Sequence, residues 1–370
     1  MKYSGAIQDH PISLEVLPFK LGEADNSWLC AFVGTDDQLK YMRQLGGSRL
    51  HVTPYAFKFK FDNKGNLIDD NGSTDTVVAL FKNDLESFRR NNAMHVKPKF
   101  MFAYGIAGIF ERVALPKSIK HMTPEWENCW VNYLKEIRKI IYKSGLTMED
   151  VVFELWDEPK GEIHDKLLRM TQLARQTLPD GRFTITWAAQ KFQYTAEQMK
   201  AYDDLLDEQT FHWLLHNDPA YMPQIKKIQQ KKGVTTGSYQ CSTNLREDLH
   251  SYFRIHPWRV YQGGYDMMGF YDFSSVNWGQ LGASDWKRVP YGGIAYRSGN
   301  NCIPSIRFML LRRGVDDVRY FKLLQKYQNV PEVAKFLKEA PAKVVGSAHN
   351  SALPDQMRQE AINLLLKYHK

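Results

Sequence analysis

Short apolar runs alternate with amphipathic stretches along most of the chain. Strands that are buried on both faces are apolar throughout, and most of these runs have that character, which indicates a parallel sheet covered by helices. The predicted barrel strands are 28–32, 48–55, 96–105, 150–159, 182–190, 211–218, 234–241 and 267–275.

The stretches between these runs carry apolar residues at helical spacing. Eight strands that alternate with helices predict parallel βα units, and at this count they predict an α/β fold, a (β/α)₈ TIM barrel with a C-terminal helical extension. An open doubly wound sheet is the alternative, but no glycine-rich phosphate turn follows the first strand. The predicted helices are 36–47, 74–92, 123–145, 162–178, 195–206, 222–233 and 245–258.

The segments outside this alternation predict a lead-in, a hairpin and a helical end. The alternation in 12–19 predicts a strand, the turn residues of 58–73 predict a hairpin-like loop, and 304–327 predicts two helices broken at Gly314. An apolar stripe predicts a closing helix over 354–368. The expected division is a lead-in strand in 1–22, a catalytic barrel in 23–330 and a helical segment packed on the barrel in 331–370.

The composition narrows the partners of the protein. The net charge is +8, but basic residues are spread among nearly as many acidic ones, and no nucleic-acid recognition motif accompanies them. No apolar stretch approaches the roughly 20 residues of a transmembrane helix. We therefore expect neither nucleic acid nor membrane as a partner, whereas an anionic glycan stays open. The 9 Trp, 19 Tyr and 20 Phe fit sugar-binding platforms, although large barrel cores also use aromatic residues.

The cysteines and histidines lack the spacing of a metal site. Cys30, Cys129, Cys241 and Cys302 form no CxxC pair, so free thiols are expected and a disulfide stays open. The HWLLH segment (212–216) lies in a predicted strand, where its histidines do not have the helical spacing of a zinc pair. No metal or cofactor is predicted.

The N-terminus has no apolar signal core, which predicts a cytoplasmic protein, or a secreted or periplasmic one if a signal peptide was removed.

The C-terminal ends of the strands carry the candidate site residues, because that end of a (β/α)₈ barrel holds the active site. Aromatic and polar side chains there are expected to contact a carbohydrate, and Trp187, Tyr271 and Trp278 are suited to stack on sugar faces, with a core role as the competing interpretation. The candidate substrate-binding residues are His51, Tyr104, Trp187, His216, Tyr239, Tyr271, Asp272, Asn277 and Trp278.

The end of the fourth strand gives the sharpest chemical signal. A buried strand runs directly into two consecutive acids, Asp157 and Glu158. Adjacent carboxylates repel one another, which raises one pKa and suits that group to protonate a leaving oxygen. The competing interpretation is a cap for the helix that follows. A cap needs only one acid, so we predict that this pair is catalytic.

The seventh strand adds information because its segment TTGSYQCSTN (235–244) has no acid. Many retaining glycosidases need a second carboxyl group about 5 Å from the first. Two explanations remain open. Another strand supplies that group, with Asp218 and Asp272 as candidates, or a 2-acetamido group of the substrate is the nucleophile. Two adjacent acids suit the second explanation, since one can orient the acetamido nitrogen while the other is the general acid.

The WDEP strand end (156–159) and the later segment PSIRFMLLRRGVDDVRYFKLL (304–324) resemble glycoside hydrolase family 123 and its relatives, over about residues 12–330. The resemblance implies a (β/α)₈ barrel that acts as a β-N-acetylgalactosaminidase with substrate-assisted retention at the non-reducing end of a glycan. It also implies that Asp157 polarises the acetamido group and that Glu158 is the acid/base.

The charged residues of the later segment have a structural interpretation. Arg307, Arg312, Arg313, Asp316 and Asp317 are spaced to form ion pairs along a helix. We expect them to lock this helix onto the barrel.

Three hypotheses follow from the sequence. The first is a hydrolase of 2-acetamido sugars that uses Asp157 and Glu158. The second is a glycosidase on a sugar without an acetamido group, or on an anionic glycan, with a separate second carboxylate. The third is a non-catalytic glycan-binding barrel. The sequence does not indicate the glycan, its linkage or the oligomeric state.

Overall fold

The computed structural model contains one large parallel sheet surrounded by helices. It describes residues 16–24, 27–29, 36–91, 98–188, 194–241, 248–271, 273 and 293–369. The strands are β1 (Ser27–Leu29), β2 (Arg49–Val52), β3 (Lys60–Phe61), β4 (Leu67–Asp69), β5 (Lys99–Phe102), β6 (Val151–Asp157), β7 (Arg182–Trp187), β8 (Glu208–His212), β9 (Thr235–Cys241), β10 (Met267–Tyr271), β11 (Ala295–Ser298) and β12 (Asn301–Pro304).

Helices connect most of these strands, as the βα alternation predicts. They are α1 (Asp36–Gln44), α2 (Ser73–Arg90), α3 (Ile106–Val113), α4 (Pro124–Lys143), α5 (His164–Thr177), α6 (Ala196–Lys200), α7 (Met222–Gln229), α8 (Ile255–Gly263), α9 (Ile306–Leu324), α10 (Pro331–Gly346) and α11 (Leu353–Tyr368).

The main sheet has the strand order β1-β10-β9-β8-β7-β6-β5-β2, and every neighbouring pair is parallel. The two strands at the ends of this order, β1 and β2, are in contact, so the sheet curls around on itself. The predicted (β/α)₈ fold class is therefore confirmed. Two antiparallel hairpins, β3–β4 and β11–β12, lie outside the barrel, and the first is the hairpin predicted for 58–73.

The two faces of the sheet differ in character. Paired residues of neighbouring parallel strands point to the same face, so the register separates an outer row from an inner row. In the outer row Phe102, Phe153 and Phe183 are paired in sequence and fully buried beneath the helices. Each such ring contributes roughly 1.5–3 kcal/mol by leaving water. The inner row is polar along much of the strands, and several of the predicted site residues lie on this face.

The sixth barrel strand differs from the prediction of 211–218. It begins at Glu208 and ends at His212, and the chain then turns into a 3-10 helix over Trp213–Asn217. The prediction followed the apolar residues of the turn. It missed the polar start of the strand, because Glu208 is buried through an ion pair with Arg49 across the barrel.

The predicted helix break at Gly314 is wrong, because α9 is continuous from Ile306 to Leu324. A Cβ at Gly314 would lie only 2.2 Å from the carbonyl oxygen of Arg254. The glycine therefore permits close packing of α9 on the π-helical turn His250–Arg254 that precedes α8. This turn and α8 replace the helix predicted for 245–258. Of the predicted lead-in strand 12–19, only 16–19 are described, and they form no strand.

A second apolar core joins α8 and α9 to α10 and α11. Beside it, the carboxylate of Asp317 is fully buried and accepts hydrogen bonds from Arg254 and Arg358. Arg313 pairs with Asp355 of α11 at 2.7 Å. Both contacts fit the locking role that we expected for the charged segment.

Three cysteines, Cys129, Cys241 and Cys302, are free thiols, and Cys30 lies outside the described residues. Within the described ranges, no helix has the length and apolar character needed to cross a bilayer.

Candidate active site

A β-bulge in β6 turns Asp157 toward the interior of the barrel. Glu154 pairs with Thr184 of β7, but the register then slips, so that Asp157 pairs with Thr186. Without the slip, the pleat would place Asp157 on the opposite face from Glu154, three residues before it. Thr186 faces inward, since its hydroxyl oxygen lies 2.5 Å from a carboxyl oxygen of Glu154. The bulge therefore puts Glu154 and Asp157 on the same inner face.

Glu158 returns to this side because its backbone is left-handed, with φ 49°. Its N–H donates to the carbonyl of Thr186 at 2.9 Å, and its carboxylate accepts a hydrogen bond from the hydroxyl of Tyr239 on β9. A left-handed non-glycine residue costs roughly 1–2 kcal/mol, and such strain concentrates at functional sites. Consecutive residues of a regular strand point to opposite faces, so the bulge and this residue together bring two adjacent carboxyl groups to one mouth.

The turn after β5 closes over the backbone of Asp157. Tyr104 and Gly105 both have positive φ, 68° and 73°, and they lead into α3. A Cβ at Gly105 would lie 2.9 Å from the backbone nitrogen of Asp157, so the close approach requires glycine. The N–H groups of Tyr104 and Gly105 donate to one carboxyl oxygen of Glu154, at 2.6 and 3.3 Å. Glu154 thus ties this turn to β6.

The surroundings of the two adjacent acids change their proton affinity. Burial, followed by the nearby charge of Glu158, raises the pKa of Asp157 to about 7. Near neutral pH the cluster therefore holds a proton on Asp157 for part of the time. Burial and the carboxylate of Glu158 raise the pKa of Tyr239 well above its usual range, so Tyr239 stays a hydroxyl donor.

A pocket of about 460 Å³ opens beside Asp157. The carboxyl group is exposed through this opening, although protein surrounds it on its other sides. Aromatic rings, two glycines and one guanidinium form the walls. The guanidinium of Arg112 lies over the ring of Tyr55 at 5.8 Å and donates a hydrogen bond to the carbonyl of Gly108. The lining residues are Tyr55, Tyr104, Gly105, Gly108, Arg112, Trp156 and Asp157.

The structure brings several predicted residues to this mouth. Tyr239 binds Glu158, and Tyr104 lines the pocket. Tyr271 ends β10, half-buried, on the inner face. His51 also lies on the inner face, where burial and the neighbouring Arg49 lower its pKa to about 3, so it is neutral.

Two predicted residues lie elsewhere. Trp187 is buried on the outer face, where its indole N–H donates to Gln209 at 3.0 Å. His216 belongs to the 3-10 turn rather than to a strand end, and its ring stacks on that of Tyr265 with centroids 4.3 Å apart. The structure does not bring either residue to the acids. The other predicted residues, Asp272, Asn277 and Trp278, lie outside the described residues.

Three inward or pocket residues were absent from the prediction. Glu154 was visible as a lone acid inside an apolar strand, but its role needs the register. His212 ends β8 and sets its ring edge-on to Tyr239 at 5.1 Å, a position that the prediction gave to His216. Arg112 lies on α3, a helix that the predicted strand-helix alternation did not include.

Asp218, a candidate for a distant second carboxylate, has a local structural role. Its side chain accepts a hydrogen bond from the N–H of Ala220 at 2.9 Å, and its carbonyl accepts from Tyr221 and Met222 at the start of α7. It therefore fixes the turn into α7. Among the described residues, no group of three or more His, Cys, Asp or Glu side chains has the arrangement of a metal site.

A parallel (β/α)₈ barrel with carboxyl groups gathered at the C-terminal end of one strand is an arrangement suited to a barrel glycoside hydrolase. The model of the family "Glycoside hydrolase 123, catalytic domain" matches residues 109–324, more than half of the chain. The chain belongs to this family, and it is a glycoside hydrolase. The predicted family resemblance is thereby confirmed.

Several solved structures are similar to this chain at low sequence identity. A xylanase 10C variant from Cellvibrio japonicus in complex with xylopentaose superposes with a TM-score of 0.50 at 9% identity, over 81% of this chain and 68% of that one. A family 39 glycoside hydrolase from Bacteroides cellulosilyticus WH2 has a TM-score of 0.49 at 12% identity, and the match covers 82% of this chain and 66% of that one. An endo-1,4-beta-mannanase from Rhizomucor miehei has a TM-score of 0.49 at 10% identity, and the match covers 83% of this chain and 96% of that one. No curated protein matches the sequence.

Proposed function

We propose that this glycoside hydrolase is a retaining, substrate-assisted β-N-acetylhexosaminidase of the β-N-acetylgalactosaminidase type. Asp157 orients the 2-acetamido group of the sugar, and Glu158 is the general acid and base. The substrate is the sugar at the non-reducing end of a glycan.

One observation carries this proposal: two adjacent carboxyl groups share one mouth, and no other described barrel strand ends in an acid. The other seven strands end at Leu29, Val52, Phe102, Trp187, His212, Cys241 and Tyr271. A mechanism with a protein nucleophile needs a second carboxyl group about 5 Å from the acid, across the sugar. Two neighbouring residues of one strand end approach the sugar from the same side, so the nucleophile on its other side is best supplied by the substrate itself.

In the first step the acetamido oxygen attacks the anomeric carbon while the bond to the leaving oxygen breaks. Glu158 gives its proton to that oxygen. The acetamido nitrogen gains positive charge, and the carboxylate of Asp157 stabilises it by accepting the N–H hydrogen bond. The product is a cyclic oxazolinium ion bound beside Asp157.

In the second step water attacks the anomeric carbon of this ion from the face opposite to the acyl oxygen, and the bond between that carbon and the acyl oxygen breaks. Glu158, now a carboxylate, takes the proton of the water, and the acetamido group is regenerated. Two inversions give net retention. The hydroxyl of Tyr239 keeps the carboxyl group of Glu158 in place through both steps.

The pKa of Asp157 sets a condition on this division of roles. Asp157 must be ionised to stabilise the oxazolinium ion, yet its pKa of about 7 leaves it partly protonated in the free protein. An acetamido N–H that binds to it favours the charged form. With Asp157 charged, the one proton of the pair must lie on Glu158. We therefore expect kcat/KM to fall as pH rises above about 7, because the pair then loses the proton that Glu158 gives to the leaving oxygen.

The experiment is a panel of aryl glycosides: β-N-acetylgalactosaminide and β-N-acetylglucosaminide beside β-galactoside and β-glucoside. The proposal expects release from acetamido sugars alone, and inhibition by a thiazoline mimic of the oxazolinium ion. The galactosaminide is expected to be the better of the two acetamido substrates.

The other outcomes separate the rival hypotheses. Release from the plain sugars would contradict substrate assistance and direct the search for a second carboxylate to Asp272. Binding of the sugars without release from any of them would indicate a non-catalytic glycan-binding barrel. The pH dependence of the release by the unaltered protein then tests the role of Asp157.

A further inference from the structure

Glu154 is a third carboxyl group behind the pair, and neither step of the proposed reaction uses it. Its side chain is only 1% exposed. One carboxyl oxygen receives the N–H groups of Tyr104 and Gly105, and the other lies 2.5 Å from the hydroxyl oxygen of Thr186. No lysine or arginine of the described chain forms an ion pair with it.

The hydrogen bonds from Tyr104, Gly105 and Thr186 favour a charged Glu154, but the described titratable groups around it include no counter-ion. Asp157 at the end of its own strand and Glu158 just after it are acidic. From β2 comes His51, which is neutral, and from β9 comes Tyr239, which keeps its proton. The tyrosine of the β5 turn, Tyr104, contributes its backbone N–H.

Two inward-facing arginines of the barrel are already engaged with another carboxylate. Arg49 and Arg182 are the first residues of their strands, and both pair with Glu208, the first residue of β8. A buried charge without a counter-ion is expensive, and such a group commonly takes a proton instead.

We propose that Glu154 is a positioning residue that, as a neutral carboxylic acid, clamps the Tyr104–Gly105 turn onto the backbone of Asp157. This inference rests on the proposed function of the pair, and it deepens that function by naming the group that fixes the pocket wall beside Asp157. Its consequence is that only Asp157 and Glu158 share the exchangeable charge of the reaction.

The hydrogen-bond geometry is complete for the neutral acid. A protonated Glu154 donates its hydrogen to the Thr186 oxygen along the 2.5 Å contact, and its carbonyl oxygen still accepts both N–H groups. Burial and the neighbouring Asp157 both raise the pKa of Glu154 well above its usual range, which agrees with this state.

Glutamine reproduces this pattern. In Glu154→Gln the amide oxygen accepts the two N–H groups and the amide nitrogen donates to Thr186. In Glu154→Ala both contacts are lost and the turn is released. We expect Glu154→Ala to lower kcat by about tenfold to a hundredfold, the scale of a misplaced catalytic group, and Glu154→Gln to recover most of that loss.

A spectroscopic readout tests the protonation without any substrate. The infrared carbonyl band of a protonated carboxylic acid is expected in the difference between wild type and Glu154→Gln at neutral pH. Glu208→Gln is the matched control: it also removes a buried glutamate, but Glu208 has two arginine partners, so only carboxylate bands should disappear.

The outcomes are decisive for the inference. Two results together would overturn the inference. The difference spectrum between wild type and a folded Glu154→Gln protein would show no acid band, and this variant would be as impaired as Glu154→Ala. If Glu154→Ala does not fold, Thr186→Val still removes one contact of the clamp and is expected to lower kcat more than KM; an unchanged kcat there would count against the clamp. Failure of the proposed function is a separate result, since the infrared band does not depend on which sugar is cleaved.

Discussion

Two buried glutamates of the barrel interior have opposite surroundings: Glu208 is the first residue of β8 at the floor, and Glu154 lies in the middle of β6, behind the mouth. Glu208 lies 2.5 Å from Arg49 and 3.1 Å from Arg182, and these arginines lower its pKa despite complete burial. Glu154 has only neutral donors, and its pKa is raised. The same side chain is therefore an ion-pair partner at one end and an uncompensated acid at the other.

This difference separates the stabilising end of the barrel from the reactive end. Barrels of this type carry their chemistry at the C-terminal ends of the strands and their structural contacts at the N-terminal ends. Uncompensated carboxyl groups cost stability, and they persist at the mouth of this barrel because raised pKa values and proton sharing suit acid–base chemistry. The predictions below alter each end in turn.

The largest effect is expected for Glu158→Gln at the mouth. Loss of a general acid lowers kcat by about 10²–10⁴, and the loss should shrink for aryl leaving groups that depart without a proton. Steady-state rates on substrates of graded leaving-group pKa measure this. Glu162→Gln, an exposed glutamate shortly after the pair, is the control and should behave as wild type. Equal losses for all leaving groups would contradict the acid role.

The next effect is expected for Arg49→Met at the floor. It leaves Glu208 with less compensation, and breaking a buried ion pair costs about 3–5 kcal/mol of the free energy of unfolding. Because the pKa of Glu208 is lowered in the fold, its stabilising contribution is present at neutral pH and is lost as pH falls through that pKa. Urea unfolding at several pH values measures this. A shift of the pH at which kcat/KM falls would show instead that the two ends are coupled.

A smaller effect is expected for Tyr239→Phe, which removes the hydroxyl that holds Glu158. A hydrogen bond to a charged group is worth about 1.5–3 kcal/mol, so kcat should fall by roughly tenfold or more while the fold is retained. Tyr265→Phe is the matched control, since this tyrosine stacks on His216 away from the acids. Activity of Tyr239→Phe equal to that of the control would remove Tyr239 from the mechanism.

The smallest effect is a change in stability for Asp157→Asn. The pKa of Asp157 is raised to about 7 in the fold, so it favours the folded state at low pH, and this contribution is lost as pH rises from about 4 to 7. The variant should therefore gain stability relative to wild type with increasing pH, by about 1 kcal/mol after solvent screening of this exposed group. Thermal unfolding at pH 4 and pH 8 measures the difference. A constant offset would contradict the raised pKa.

The sequence was sufficient to predict the barrel and to single out the two adjacent acids at the end of one strand, because both depend on local patterns. Apolar runs indicated the strands, and the acids at the end of β6 were visible as such. The bulge in β6 was not visible in the sequence, since it is defined by the pairing of β6 with β7. Without this bulge Asp157 would face outward. His216 was predicted where His212 lies, because the apolar WLL residues masked the strand end. Gly314 suggested a helix break, but its role is a tertiary contact with Arg254.

The most direct test of the account is the rate of hydrolysis of aryl β-N-acylgalactosaminides in which the acetyl group carries zero to three fluorine atoms. Fluorine withdraws electrons from the acyl oxygen, so an internal nucleophile becomes weaker at each step. The account predicts that kcat falls progressively along the series. Rates that stay constant across the series would show that the acyl oxygen does not attack, and would contradict substrate assistance by Asp157 and Glu158.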